Sequence, residues 1–169
     1  MIKYEKAVNI DKLVTLSSQI WHEYWSEYLS DAQIDYMVEK FQSREAIENQ
    51  IQNENYTYYY IYSNREMVGY IGLSNRDDYL FLSKFYLKKE VRHQGIGTKT
   101  FAFIKECARI QKYNKILLTV NKENEKSINA YKKWGFEIIN AVVTDIGNGF
   151  VMDDYIMECK LSELYSISH

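Results

Sequence analysis

Proline is absent from this sequence, and cysteine, histidine and glycine are sparse: two, three and seven residues among 169. Cys107 and Cys159 have neither metal nor redox spacing, so a reduced, cytoplasmic setting is expected. His22, His93 and His169 are scattered, which leaves no zinc signature and no metal to expect. No window reaches the apolar length of a membrane span. The opening Met1-Ile2-Lys3-Tyr4-Glu5-Lys6 alternates polar and apolar residues, unlike a signal peptide. Charge of either sign is not in excess: the formal net charge is -2. That excludes a basic nucleic-acid binder as the default, and also a disordered acidic tail. The missing proline carries no functional reading.

Apolar residues make up 46% of the chain, enough for residues 1–169 to form one domain with a real core. Tyrosine is abundant, with 16 residues, and marks strand and pocket surfaces that are half apolar and half wet.

Hydrophobic spacing predicts a strand over 2–8 and a helix over about 10–28, capped by Asn9 or Asp11, with Leu13, Leu16, Ile20 and Trp21 on one face. Ser30-Asp31 starts a second helix carrying Ile34, Met37, Val38 and Phe41. Ser43-Arg44 starts a short third one with Ala46, Ile47 and Ile51 as its apolar face. Three strands follow, over 56–62, 67–73 and 79–87, separated by turns at 63–66 and 75–78. A helix over 98–112 turns Phe101, Ile104, Cys107 and Ala108 inward, and 115–120 is a buried strand. A further helix runs from Asn124 or Glu125 to Trp134, with Gly135 placed as its C′ residue. A terminal hairpin spans 136–145 and 150–160 about Gly147-Asn148-Gly149. The expected fold class is α/β, with one mixed, mostly antiparallel sheet flanked by helices.

The segment Arg92-His93-Gln94-Gly95-Ile96-Gly97-Thr98-Lys99 lies between a predicted strand and a predicted helix. Its glycines leave backbone N–H groups uncovered at the positive end of a helix dipole, where phosphate binds readily. Arg92 and Lys99 add positive charge. Thr100 stands where a dinucleotide fingerprint needs a third glycine, and Gly97-Thr98-Lys99 has the wrong order for a P-loop. A glycine pair in a turn is by itself usually only a turn.

The run Arg92-x-x-Gly95-x-Gly97 resembles the pyrophosphate loop of the GCN5-related N-acetyltransferase (GNAT) family, Gln/Arg-x-x-Gly-x-Gly/Ala. Three further pieces match in order. Phe85-Tyr86-Leu87 is similar to the end of the family's fourth strand, which pairs with the pantetheine arm of acetyl-CoA. Leu118-Thr119-Val120-Asn121-Lys122-Glu123-Asn124 ends in an asparagine that in the family contacts the coenzyme. Ser127 to Phe136 resembles the family's Ala-x-x-Leu-Tyr-x-x-x-Gly-Phe segment. The resemblance covers about residues 56–160. It implies acetyl-CoA as co-substrate, bound by Phe85, Tyr86, Leu87, Arg92, His93, Gln94, Gly95, Ile96, Gly97, Thr98, Lys99, Asn124 and Tyr131. It implies the Leu87 amide as oxyanion donor and the Tyr131 hydroxyl as the acid that protonates the leaving thiolate. Tyr131 follows Asn124 by seven residues, two helical turns on one face. The tyrosine alone equally suits a helix–sheet interface.

A free alkylamine has a pKa of about 10 and must lose a proton before it attacks. Several relatives carry a glutamate base where this chain has Thr119. Glu23, Asp153, Asp154 or a water-linked tyrosine remain as substitutes.

Trp21-His22-Glu23-Tyr24-Trp25 and Gly149 to Tyr155 are similar to bacterial spermidine/spermine acetyltransferases of the PaiA type. Aromatic faces and carboxylates suit a flexible polycation. Trp21, Glu23, Tyr24, Asp153 and Asp154 are therefore the expected acceptor residues, and a small primary amine is the expected acceptor. Asp153-Asp154 equally suits a charged, exposed strand edge that blocks aggregation. Acetylation of a protein or peptide amine is the second reading, and a non-catalytic acyl-CoA sensor the third. The resemblance also leaves room for a homodimer through terminal strands, without nucleic acid or membrane as partner.

Overall fold

The computed structural model describes residues 1–161. Seven strands form one sheet in the order β1-β2-β3-β4-β5-β7-β6. They are β1 (Ile2–Lys6), β2 (Tyr56–Ser63), β3 (Glu66–Asn75), β4 (Leu80–Leu87), β5 (Lys115–Asn121), β6 (Glu137–Gly147) and β7 (Phe150–Lys160). Five helices accompany them: α1 (Asp11–Trp25), α2 (Asp31–Gln42), α3 (Arg44–Asn53), α4 (Ile96–Ile110) and α5 (Glu125–Lys133). β4 and β5 pair in parallel, and β1–β2, β2–β3, β5–β7 and β6–β7 are antiparallel, so the sheet is mixed and mostly antiparallel as expected. The chain divides into two compact units, Met1–Asn75 with Ser83–Thr100, and Arg76–Leu82 with Phe101–His169.

In the first unit, the helix starts follow from serine chemistry. The Ser30 hydroxyl accepts from Gln33 N–H and the Ser43 hydroxyl from Ala46 N–H, each at 3.2 Å. Both satisfy a donor that a helix start leaves open. Helix α1 begins after Ile10 without a side-chain cap. Asn9 instead accepts from Asp11 N–H at 2.9 Å, two residues ahead of the helix's first residue. α1 also ends earlier than its spacing predicts. Tyr28 and Leu29 N–H both reach the Trp25 carbonyl, which closes the last turn.

Two buried glutamines shape the core of this unit. Tyr58 donates to Gln50 Oε1 at 2.5 Å, and Tyr70 donates to Gln42 Oε1 at 2.8 Å. Trp21 Nε1 donates to the Tyr70 hydroxyl at 2.6 Å. Burial, reinforced by Tyr86 and Tyr58 and opposed by the Trp21 hydrogen bond, holds the Tyr70 phenol far above its ordinary pKa. On α3 the buried residues are Ile47 and Gln50, whereas Ile51, expected inward, is exposed. The Tyr58 hydroxyl makes the polar glutamine the better inward residue.

In the second unit, α4 buries Phe101, Ile104 and Ala108, and Phe101 stacks on Trp134 with ring centroids 5.4 Å apart. Cys107 is only half-buried, and burial pushes its thiol up to about 11. Gly135 has φ +99 after α5, the left-handed geometry that a side chain resists. The hairpin β6–β7 turns through Asn148 and Gly149, both with positive φ. β7 lies between β5 and β6, so Asp153 and Asp154 are not on a sheet edge. The edge-protection reading of that pair is thereby overturned.

Candidate active site

The glycine loop belongs to the first unit. After β4 the chain makes a short 3-10 turn, Lys89–Val91, which sequence spacing did not reveal. His93 (φ +65) and Gly95 (φ +80) then adopt left-handed conformations. Such alternation turns successive N–H groups toward one concavity, an anion-binding nest. A Cβ added at Gly95 would meet no atom within 4 Å, so the loop leaves open space there. The ladder of α4 begins with Lys99 N–H to Gly95 C=O at 3.2 Å. The amides ahead of it are those a helix start offers to an anion. Ile96 and Thr100 are buried and anchor the turn, with Thr100 accepting from the Tyr4 hydroxyl at 3.1 Å. His93, Gln94, Thr98 and Lys99 are exposed. The cradle fits a diphosphate.

Arg92 does not point outward as its place in the motif suggests. Its Nε donates to the Leu87 carbonyl at 3.1 Å, and its guanidinium carbon lies 5.4 Å from the Tyr24 ring centroid. One terminal nitrogen, Nη2, is buried with no hydrogen-bond partner among the described residues. Tyr24 packs edge-on against Tyr86 at 5.3 Å, and Trp21 lies tilted against Tyr86 at 5.5 Å. Trp21 is 3% exposed, with its indole N–H committed to Tyr70, so it is a wall behind Tyr86. Glu23 is exposed on α1.

The end of β4 has the polarity an oxyanion donor needs. Lys88 N–H reaches the Val68 carbonyl of β3 at 2.7 Å. Successive strand amides alternate in direction, so Leu87 N–H points away from β3. Gly69 makes this approach possible. A Cβ there would lie 2.3 Å from the Tyr86 carbonyl oxygen and 3.1 Å from Leu87 Cα. A glycine inside a strand often marks such close backbone approach, a signal that hydrophobic spacing does not carry.

In the second unit, Asn124 is buried at 2% exposure and caps α5, its Oδ1 accepting from Ser127 N–H at 3.3 Å. Tyr131 is half-buried, edge-on to Trp134 at 5.7 Å and to Phe136 at 5.5 Å. Thr119 is exposed on β5. Asp153 lies 2.7 Å from Lys122 Nζ, and that hydrogen bond raises the lysine pKa. Asp154 is 8% exposed, and its Oδ1 is buried without a hydrogen-bond partner among the described residues. Desolvation, reinforced by Asp153 and opposed by Lys122, raises its pKa to about 6. No group of His, Cys, Asp or Glu side chains among the described residues could hold a metal ion. His169 lies outside the described residues. None of the described helices is long and apolar enough to cross a membrane.

The sequence profile of the acetyltransferase (GNAT) family matches residues 17–136. The chain belongs to that family. Its enzymes use acetyl-CoA as acetyl donor. A search of curated proteins finds no match. Among solved structures, the chain is similar to the PaiA N-acetyltransferase of Thermoplasma acidophilum, solved in complex with coenzyme A. The TM-score is 0.78 at 20% identity, covering 95% of this chain and 99% of that one. A GNAT acetyltransferase of Elizabethkingia anophelis, with acetyl-CoA bound, has a TM-score of 0.65 at 16% identity, covering 95% and 98%. The ribosomal-protein-S18-alanine N-acetyltransferase of Escherichia coli has a TM-score of 0.67 at 15% identity, covering 96% and 95%. At these identities the likeness establishes a shared fold.

Proposed function

We propose that this GNAT enzyme acts in the cytoplasm as a single domain, moving acetyl from acetyl-CoA to a primary amine of a small polyamine-like acceptor, spermidine or spermine being the type. The observation that carries this reading is that each unit, taken by itself, sets carboxylates beside aromatic residues: Glu23 beside Tyr24 on α1, and Asp153 and Asp154 beside Tyr155 on β7. Tyr24 has an aromatic ring of the kind that attracts a cation, as its contact with the Arg92 guanidinium illustrates. Glu23 and Asp153 are exposed carboxylates, and Asp154 is a shielded one. A flexible cation is bound through such groups by charge-assisted hydrogen bonds. The PaiA N-acetyltransferase of Thermoplasma acidophilum shares the fold over nearly its full length.

In this reading the loop amides of residues 93–98 hold the diphosphate. The Leu87 N–H stabilises the charge that develops on the acetyl oxygen. The Tyr131 hydroxyl supplies a proton to the leaving sulfur, help typically worth about 10²–10⁴ in rate. Asn124 fixes the start of the helix that carries Tyr131.

Thiol release measured across an amine panel tests the proposal. Turnover is expected with spermidine or spermine, exceeding that with lysine peptides. Activity on peptides with none on free polyamines favours a protein acceptor, the second reading, for which the Escherichia coli neighbour is the precedent.

A further inference from the structure

We propose that Asp154 takes the proton from the incoming ammonium, the role Thr119 cannot fill. The inference rests on the amine-acetyltransferase reading and adds the base that reading leaves open. The surroundings of Glu23, Asp153, Asp154 and Tyr131 separate them as bases. Glu23 is exposed and screened by water. Asp153 is exposed and already paired with Lys122 at 2.7 Å. Tyr131 is spent on the leaving group. Asp154 is the carboxylate that is both shielded from water and without a donor on one oxygen.

Its place in the strand ladder suits the task. Asp154 pairs with Asn121, the last residue of β5, and with Val142 of β6, so these three side chains share one face. β5 runs parallel to β4 at Leu80↔Ile116 and Phe81↔Leu117. The carboxyl ends of parallel strands are where such sheets receive ligands. The β6 stretch opposite Asp154, Asn140 to Thr144, carries no charge. Lys122, just beyond β5, and the neighbouring Asp153 are the charged groups acting on it. Asn121 Oδ1 is occupied by Glu123 N–H at 2.9 Å, so it does not compete for the incoming N–H.

Buried polar atoms without partners are rare in folded proteins. Here the missing partner is an N–H that arrives with the substrate. A carboxyl with a pKa of about 6 narrows the gap to an alkylammonium of about 10. It is still mostly ionised at neutral pH, as a base must be. In the step, one ammonium N–H bond breaks and its proton passes to the Asp154 carboxylate. The freed lone pair forms the N–C bond to the acetyl carbon, and the C–S bond breaks. A second nitrogen proton is lost to solvent as Tyr131 protonates the sulfur. Tyr131 is then reprotonated from solvent, and Asp154 releases its proton to water.

The test is the pH dependence of kcat/KM for the full chain and for Asp154→Asn and Asp154→Glu, with acetyl-CoA affinity measured on each by calorimetry. The parent chain is expected to lose activity below about pH 6. D154N is expected to fall about 10²–10⁴-fold, without that acidic limb, at unchanged acetyl-CoA affinity. D154E is expected to restore part of the rate. D154N turnover within twofold of the parent, or D154N losing acetyl-CoA binding in parallel with activity, overturns the assignment. A parent chain that turns over no amine at all overturns the underlying reaction itself, a result read without any variant.

Discussion

Arg92 Nε donates to the carbonyl of Leu87 at 3.1 Å, so the first residue of the glycine-loop motif grips the residue whose amide we propose as the oxyanion donor. Its charge is turned toward Tyr24 and not toward solvent. Two roles for Arg92 make different predictions. If it served the diphosphate as a point charge, Arg92→Lys would keep most function. If it holds the Leu87 backbone, lysine cannot reproduce the planar fork.

We therefore expect R92K and R92Q to be similarly impaired, with the loss mainly in kcat and not in the KM for acetyl-CoA. A hydrogen bond from a charged group is worth about 1.5–3 kcal/mol. A drop in Tm of several degrees should accompany the kinetic effect. Steady-state kinetics of both variants decide the matter. R92K with parent kcat contradicts the positioning role.

Gly69 gives a second, independent handle on the same peptide. Gly69→Ala would place a methyl 2.3 Å from the Tyr86 carbonyl oxygen, a backbone atom that cannot swing away. β3 and β4 must separate to admit it. Such overpacking costs about 1–3 kcal/mol, and here it falls on the segment that carries Leu87. Gly69→Ala should thus lose both Tm and acetyl transfer. Thermal melts beside turnover assays check this, and an unchanged melting curve contradicts the close approach.

Much of this was legible in the sequence. Ser30 and Ser43 announced their helices because a hydroxyl before an apolar repeat has one obvious use. Gly135 and Asn148-Gly149 announced their turns through backbone geometry that few residues adopt. The glycine loop was legible as a strand-to-helix turn for the same reason. What periodicity could not show was the partner of each polar group. Gln42 and Gln50 are buried because tyrosine hydroxyls meet them, and no spacing rule encodes that. Arg92 folds inward because the Leu87 carbonyl needs a donor. Asp153 and Asp154 read alike in a row, yet they alternate across β7, one pairing with Lys122 and the other entering a dry environment.

Asp154 also makes a prediction about stability, and its sign is opposite to that of an ordinary ion-paired aspartate. Its pKa rises from 3.8 to about 6 on folding, so the folded chain holds this proton more tightly than the unfolded one. The favourable contribution is complete at low pH and is lost as pH rises through about 6. Above that, the buried carboxylate opposes folding by on the order of 1–3 kcal/mol. Asp154→Asn should raise Tm by several degrees at pH 8 and change it little at pH 4. Calorimetric melts at the two pH values test this. Equal destabilisation at both would mean that the carboxylate is a structural partner.

Acetyl transfer as proposed requires the loop between β4 and α4 to bind the diphosphate of acetyl-CoA. Isothermal titration of the chain with CoA and with acetyl-CoA, alongside Gly95→Val, measures that directly. The parent chain should bind both ligands. G95V should bind neither, because its side chain would fill the open space at that turn and strain a backbone at φ +80. Binding by G95V as tight as by the parent, or no binding by the parent, would contradict the assignment of this loop.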